Sequence, residues 1–212
     1  MRRARVIVFA AAVAATAAMP GCATQPPGDD AGARARAEEV FRQSFTRGNR
    51  QMAARVEQQD EVQKLCSAWR NQPPKDVAEK IEQAQMATIQ YPASGKLMGD
   101  WRQGEKIAQD GYGLRFTDPD PKRANGGNCY NCHRISKQEL SYGTIGPSLY
   151  QFGKLRGADE AVQKYVYGKI FNPQAFLACS NMPRFGHNGV LTEEQMAHLV
   201  ALLLDPDSPV NK

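Results

Sequence analysis

Two cysteines and a histidine, Cys129, Cys132 and His133 in "GGNCYNCHRIS", constrain this chain more than any other feature. Two intervening residues allow a single turn to turn both sulfurs towards one edge of a planar group, and the next side chain then projects beside them. What such a trio does depends on compartment, because a thiol pair in a reducing cytosol reads differently from one in an oxidising periplasm.

The N-terminus speaks to that. "MRRARVIVFAAAVAATAAMPGC" carries Arg2, Arg3 and Arg5, then an apolar run from Val6 to about Ala18, too short for a membrane span and right for the core of an export signal. Residues 1–21 are therefore read as a signal peptide. It ends at Gly21–Cys22, which resembles a bacterial lipobox with Cys22 as the lipidated residue; ordinary cleavage after "TAA" is the alternative. The expected location is the periplasm, with a membrane tether if Cys22 carries lipid. Of the 27 basic residues three leave with the signal, so 24 face 22 acidic ones. That near balance, with no basic stripe interleaved with aromatics, argues against a nucleic-acid partner.

Four segments follow from composition and periodicity. After the signal, residues 22–37 are small, polar and Pro/Gly-containing and read as a flexible linker. Residues 38–95 read as a helical extension, with the spacings Val62, Leu65, Trp69 and Val77, Ile81, Ala84, Thr88 broken at Pro73–Pro74, where Asp76 is expected to cap the next helix. Residues 96–212 form the domain that contains the motif. It opens with a helix capped by Asp100 and carrying Trp101, Ile107 and Ala108, and closes with one that starts at a Thr192/Gln195 capping box. That last helix buries Met196, Leu199, Val200 and Leu203 before Pro206 stops it. The chain is expected to be mainly α.

In an exported chain, Cys-x-x-Cys-His is the attachment signature of a c-type haem: both thiols add to the porphyrin vinyl groups and the histidine becomes an axial ligand. One haem c per chain is expected, on Cys129 and Cys132, with His133 on the iron. The competing readings are a zinc site, which needs more ligands than the scattered Cys66, Cys179, His187 and His198, and a thioredoxin-like pair, which needs a βαβ setting. The second axial position has Met52, Met86, Met98, Met182, Met196, His187 and His198 as candidates. Met196 belongs to the apolar face of the last helix, and the first three precede the motif. Met182, in the Pro183-stiffened loop "CSNMPRFGHNG", is the expected ligand. Pro147 in "GPSL" is a candidate to turn a carbonyl towards His133 and fix its ring.

The stretches "GDWRQGEKIAQDGYGLRFTD", "GGNCYNCH", "GTIGPSL", "FNPQAFLACSNMPRFG" and "LTEEQMAHLVALLLDPDSPVNK" resemble the SoxX family of mono-haem cytochromes c, over roughly residues 60–212. The resemblance implies a class I cytochrome c fold, here with an N-terminal helical extension, and His133 and Met182 as iron ligands. It also implies a heterodimer with a SoxA-like c-type cytochrome. In that family the pair couples thiosulfate oxidatively to a cysteine of the SoxYZ carrier, the chemistry lying on the SoxA-like subunit. The chain would then be a non-catalytic, electron-accepting subunit that passes electrons to a downstream cytochrome. A stand-alone periplasmic electron shuttle is the alternative, and a haem sensor or peroxidase would need an open ligand position. With the haem pair consumed and Cys22 lipidated or removed, Cys66 and Cys179 are the thiols left in an oxidising compartment, which favours a disulfide between them.

Overall fold

The computed structural model describes residues 30–44 and 58–212, apart from 114, 116 and 121. Cys22, the signal and the first part of the linker lie outside the described residues. Among the described residues the regular structure is helical, with no strand. Seven α-helices run in order: α1 (Ala31–Ser44), α2 (Glu61–Ala68), α3 (Lys75–Met86), α4 (Trp101–Gln109), α5 (Phe152–Arg156), α6 (Glu160–Phe171) and α7 (Glu193–Leu204). Short 3-10 turns occupy Cys129–Asn131, Pro173–Ala175 and Pro209–Asn211. No helix among them is long and apolar enough to cross a membrane.

The linker expected over 22–37 is helical from Ala31 onwards. The reason is local: "ARARAEEVFRQS" is rich in good helix formers, the Asp30 carboxylate accepts from the Ala33 amide, and Glu39 bonds Arg42 and Gln43 one turn on. No residue of α1 is fully buried.

The core of the domain is the crossing of α4 and α7. The Asp100 carboxylate caps α4 by accepting from the Arg102 amide, and Thr192 and Gln195 close a reciprocal capping box at the start of α7. Helix α7 is buried on more than the expected stripe: Ala201, Leu202 and Leu204 are enclosed along with Met196, Leu199, Val200 and Leu203. This happens because α6 and the C-terminal turn cover the side that α4 leaves open. The chain end is tied back, with the Gln151 amide donating to the Val210 carbonyl and the Asn211 amide group donating to the carbonyls of Leu203 and Asp205.

Two glycines permit the crossing. A Cβ on Gly104 would stand 2.2 Å from the His198 carbonyl oxygen, and one on Gly99 would stand 2.4 Å from His198 Nδ1. His198 is thereby spent on structure: its Nδ1 accepts from the Asp100 amide at 2.8 Å.

Helices α2 and α3 form a hairpin that packs against the segment 172–184. The Asp60 carboxylate caps α2 through a capping box with Gln63. Cys66 rather than Leu65 is the buried residue of α2, and Leu65 points outwards. Asp76 does not cap α3: Pro74 occupies the cap position with no side-chain bond, and Asp76 falls in the first turn, where its charge complements the helix dipole. In α3 Ile81 and Gln85 are buried while Ala84 is exposed, because Gln85 has a polar partner in Asn172.

Cys66 and Cys179 are joined in a disulfide. Its loop spans 113 residues, for which the chain-entropy treatment gives roughly 4–5 kcal/mol of stabilisation. The bridge lies in a small apolar cluster of its own with Ile81, Val62, Val77 and Ala178. Alkylation of the unfolded, unreduced protein, freed of its signal and with both motif sulfurs alkylated or haem-bound, should therefore find no reactive thiol at positions 66 and 179. Labelling of either would contradict the bridge.

Candidate functional site

The motif turn is built by backbone bonds before any side chain acts. Asn128 enters it in the left-handed conformation, with φ of 47°. The Cys132 and His133 amides both donate to the Cys129 carbonyl, at 3.1 and 2.9 Å. The turn is fixed to α4 on one side, where the Gly127 amide donates to the Ile107 carbonyl and the Asn128 amide to the Asp110 carbonyl. On the other side the loop 143–146 lies on it, through the Gly143 amide to the Tyr130 carbonyl and the Gly146 amide to the Cys132 carbonyl.

Cys129 and Cys132 are both unpaired and half-buried. Burial, with the neighbouring Cys132, pushes the Cys129 thiol up to about 12. A thiol–disulfide exchange site needs the opposite, a depressed pKa in a cationic setting. Among the described residues no three His, Cys, Asp or Glu side chains are grouped to hold a metal ion, so a zinc site has no ligand set there.

His133 Nδ1 lies 2.7 Å from the Pro147 carbonyl oxygen. An oxygen of this kind only accepts, so Nδ1 donates and Nε2 is the nitrogen left to meet another group. Gly146 makes this approach possible, since a Cβ there would fall 2.2 Å from His133 Cε1 and 2.5 Å from Nδ1. Pro147 thus stands where its carbonyl fixes the ring, and Gly146 is the residue that sequence reading overlooked.

A buried polar group also anchors the turn. The Tyr130 hydroxyl donates to the Glu105 carboxylate of α4, 2.9 Å from Oε1, and meets Ser136 Oγ at 3.0 Å. Burial raises the Glu105 carboxyl above its ordinary value, helped by Glu139 and opposed by the bonds from Tyr130 and Gln109. Burial pushes the Tyr130 phenol up as well.

Met182 is half-buried and packs on the same core cluster as Cys129. Further along the chain, Val190 and the start of α7 meet the residues just ahead of the motif: Asn125 Nδ2 donates to the Val190 carbonyl and Gln195 Nε2 to the Asn125 carbonyl. The other candidates are placed differently. Met196 is 1% exposed inside the core, and Met86 is on the outer face of α3. Met98 also packs on the core cluster, just ahead of α4. His187 is exposed in an open cleft of about 620 Å³ with Thr88, Gln90 and Glu193, beside the exit of the hairpin. Met52 lies outside the described residues.

The fold and the turn together define a helical domain, stapled to an N-terminal hairpin, that presents two unpaired thiols and an oriented imidazole from a single turn. No family model matches the chain. It is 41% identical over 156 residues, 73% of its own length and 73% of the relative's, to an uncharacterized lipoprotein of Aquifex aeolicus (strain VF5), and it belongs to the same family as that lipoprotein.

Proposed function

We propose that this protein is a c-type cytochrome and serves as the electron-accepting subunit of a periplasmic thiosulfate-oxidising complex. The observation that carries the first half is the turn itself: Cys129 and Cys132 unpaired, with His133 held by Pro147 so that Nε2 is free. These residues fit a haem c, with the two sulfurs as attachment points and His133 Nε2 as one axial donor. When bound, haem supplies a one-electron iron couple. The protein's part would be to orient the imidazole through Pro147, to admit it through the missing side chain at Gly146, and to offer the Met182 thioether as the second donor. A thioether there favours the reduced state. The α4/α7 crossing at Gly104 and the tied-back C-terminus support the class I arrangement.

The second half rests on the resemblance to SoxX and on a surface. Leu140 and Ile145, 88% and 76% exposed, and the exposed Tyr142 belong to the loop that lies on the motif turn. Arg134 stands near the rings of Tyr142 and Tyr150. An apolar strip with a cationic margin beside the site suits a lasting protein partner better than brief encounters, which favours a SoxA-like cytochrome over a stand-alone shuttle. Electrons would pass on to a downstream cytochrome, and the SoxYZ carrier would be met through the partner. The lipoprotein designation of the relative supports lipid attachment at Cys22.

Met182→Ala in the purified holoprotein tests the site. The weak near-infrared methionine-to-ferric-haem band should vanish and the reduction potential should fall, because water or a harder ligand replaces the thioether. Survival of the band in that variant, with its loss in Met98→Ala, would reassign the ligand. Co-purification from thiosulfate-grown cells tests the role: a second c-type cytochrome is expected to accompany the protein, and recovery of the chain alone, still reducible by small donors, would favour the shuttle.

A further inference from the structure

Past Met182 the segment is anchored to the domain itself, where Phe185 is buried in the core and the Gly186 and His187 amides donate to the Phe171 carbonyl; at the methionine the hold is lighter. Met182 is half-buried, Pro183 is exposed, and the Met182 amide reaches no further than Ser180 Oγ, at 3.3 Å. Around the methionine, further contacts come from the N-terminal hairpin and its exit. Asn172 Nδ2 donates to Gln85 Oε1 and to Thr88 Oγ1, both at 2.9 Å, and the Ala178 amide donates to Glu82 Oε1 at 2.9 Å. Cys179 is bonded to Cys66, and Arg184 Nη2 donates to Asp60 Oδ2 at 2.5 Å.

The last two contacts bracket the methionine. We infer that the α2–α3 hairpin is a splint for the ligand loop, in which Cys66 and Asp60, from a single short helix and its cap, grip Cys179 and Arg184 on either side of Met182 and so position its thioether. The inference rests on the reading of Met182 as an iron ligand and gives the N-terminal extension a role in that site.

Three details favour positioning over mere stability. Cys179 has φ of 59°, a left-handed conformation that residues with a side chain adopt at some cost, which the bridge to Cys66 holds in place. Arg184 is 5% exposed, and its second terminal nitrogen, Nη1, is buried without a hydrogen-bond partner. Asp60, by contrast, is 43% exposed, and an ion pair open to solvent on one side adds little net stability because water screens the attraction. Its distinctive property is geometric, since a guanidinium bonded to a capped carboxylate has one place to be. Burial raises the Asp60 carboxyl, but the Gln63 amide and the Arg184 bond and charge outweigh it and hold the group below its ordinary value, so the pair is charged at neutral pH. Four residues separate Cys179 from Arg184, and with both ends fixed the thioether has little room to withdraw.

The test uses the ferric holoprotein, with imidazole as a probe that binds when the methionine leaves. Three variants loosen the grip: Arg184→Met, Asp60→Asn, and the double Cys66→Ser/Cys179→Ser. Asp60→Asn keeps a good N-cap, and Arg184→Met removes a buried charge without leaving a cavity. Each should raise imidazole affinity by about tenfold, the scale of coupling between contacting groups, and should speed amide exchange over 180–187 by a similar factor. Asp76→Asn, on the exposed first turn of α3, should change neither. Arg184→Met is the deciding variant: tighter imidazole binding with an undiminished melting temperature is what positioning predicts and general destabilisation does not. Unchanged imidazole affinity and exchange in Arg184→Met and in the cysteine double variant would overturn the splint. A wild-type holoprotein without the methionine band would instead overturn the ligand reading, and the splint with it.

Discussion

A chain carrying Cys129→Ala and Cys132→Ala together is expected to hold no covalent haem, so that the peroxidase stain of a denaturing gel disappears completely. The whole chain has five cysteines. Cys66 and Cys179 are consumed by their disulfide, and Cys22 stands at the signal boundary, so no other thiol can take over. The loss would not be a consequence of a collapsed turn. The turn is held by the amides of Cys132 and His133 on the Cys129 carbonyl, by the loop amides of Gly143 and Gly146, and by the Tyr130–Glu105 bond, none of which uses a sulfur. Each single variant should keep one thioether and retain the stain with an altered spectrum. A stain that survives the double change would show that the motif does not carry the group and would return the pair to a structural or redox role.

The elements that sequence made legible are those whose signals are local. Asp100 and the Thr192/Gln195 box mark helix starts because a side-chain oxygen must meet an amide two or three residues on, and the chain can state this in four letters. The Cys66–Cys179 pair was legible for a different reason: compartment and elimination left two thiols with each other. The motif histidine and its Pro147 carbonyl were legible because a fixed-φ residue follows at short range. What escaped was set by tertiary contact. Leu65 and Ala84 looked like core by periodicity, yet the hairpin rotates to bury Cys66 and Gln85, because the disulfide and the Asn172 amide choose its facing side. Asp76 looked like a cap, but α3 already begins at Lys75 with Pro74 in the cap position, so Asp76 falls inside the first turn. The Asp60–Arg184 pair is 124 residues apart in sequence, and nothing local to either residue announces the other. Gly104 and Gly146 were unreadable for the same reason, since the atom that forbids a side chain at each lies on another segment.

Gly104 leads to the largest expected loss of stability. A methyl group there would sit 2.2 Å from the His198 carbonyl oxygen, 2.8 Å from its carbon and 2.9 Å from Leu202 Cβ. None of these atoms is the far end of a flexible side chain, so relief requires α4 and α7 to move apart. That movement would break the bond from the Asp100 amide to His198 Nδ1 and the one from the Gly99 amide to the Ala197 carbonyl. It would also open the contacts of Ala108, Leu199 and Leu202, which are among the most deeply buried residues of the core. Alanine gains about 1 kcal/mol of intrinsic helix preference over glycine, against an overpacking cost of about 3 kcal/mol at such a contact, so Gly104→Ala should lower stability by about 2 kcal/mol. Gly104→Val adds two more carbons to the same overlap and loses the helix preference, and a loss above about 4 kcal/mol is expected, enough to keep the holoprotein from accumulating. Denaturant unfolding of the purified alanine variant, together with the yield of the valine variant, measures both. The effect should also reach the site, because Glu105, which holds Tyr130, follows Gly104 directly on α4, so the alanine variant should perturb the haem spectrum in addition to its melting temperature. Full stability in Gly104→Ala would mean that the two helices do not cross at this glycine, and the tie between the α4/α7 crossing and the motif turn would have to be redrawn.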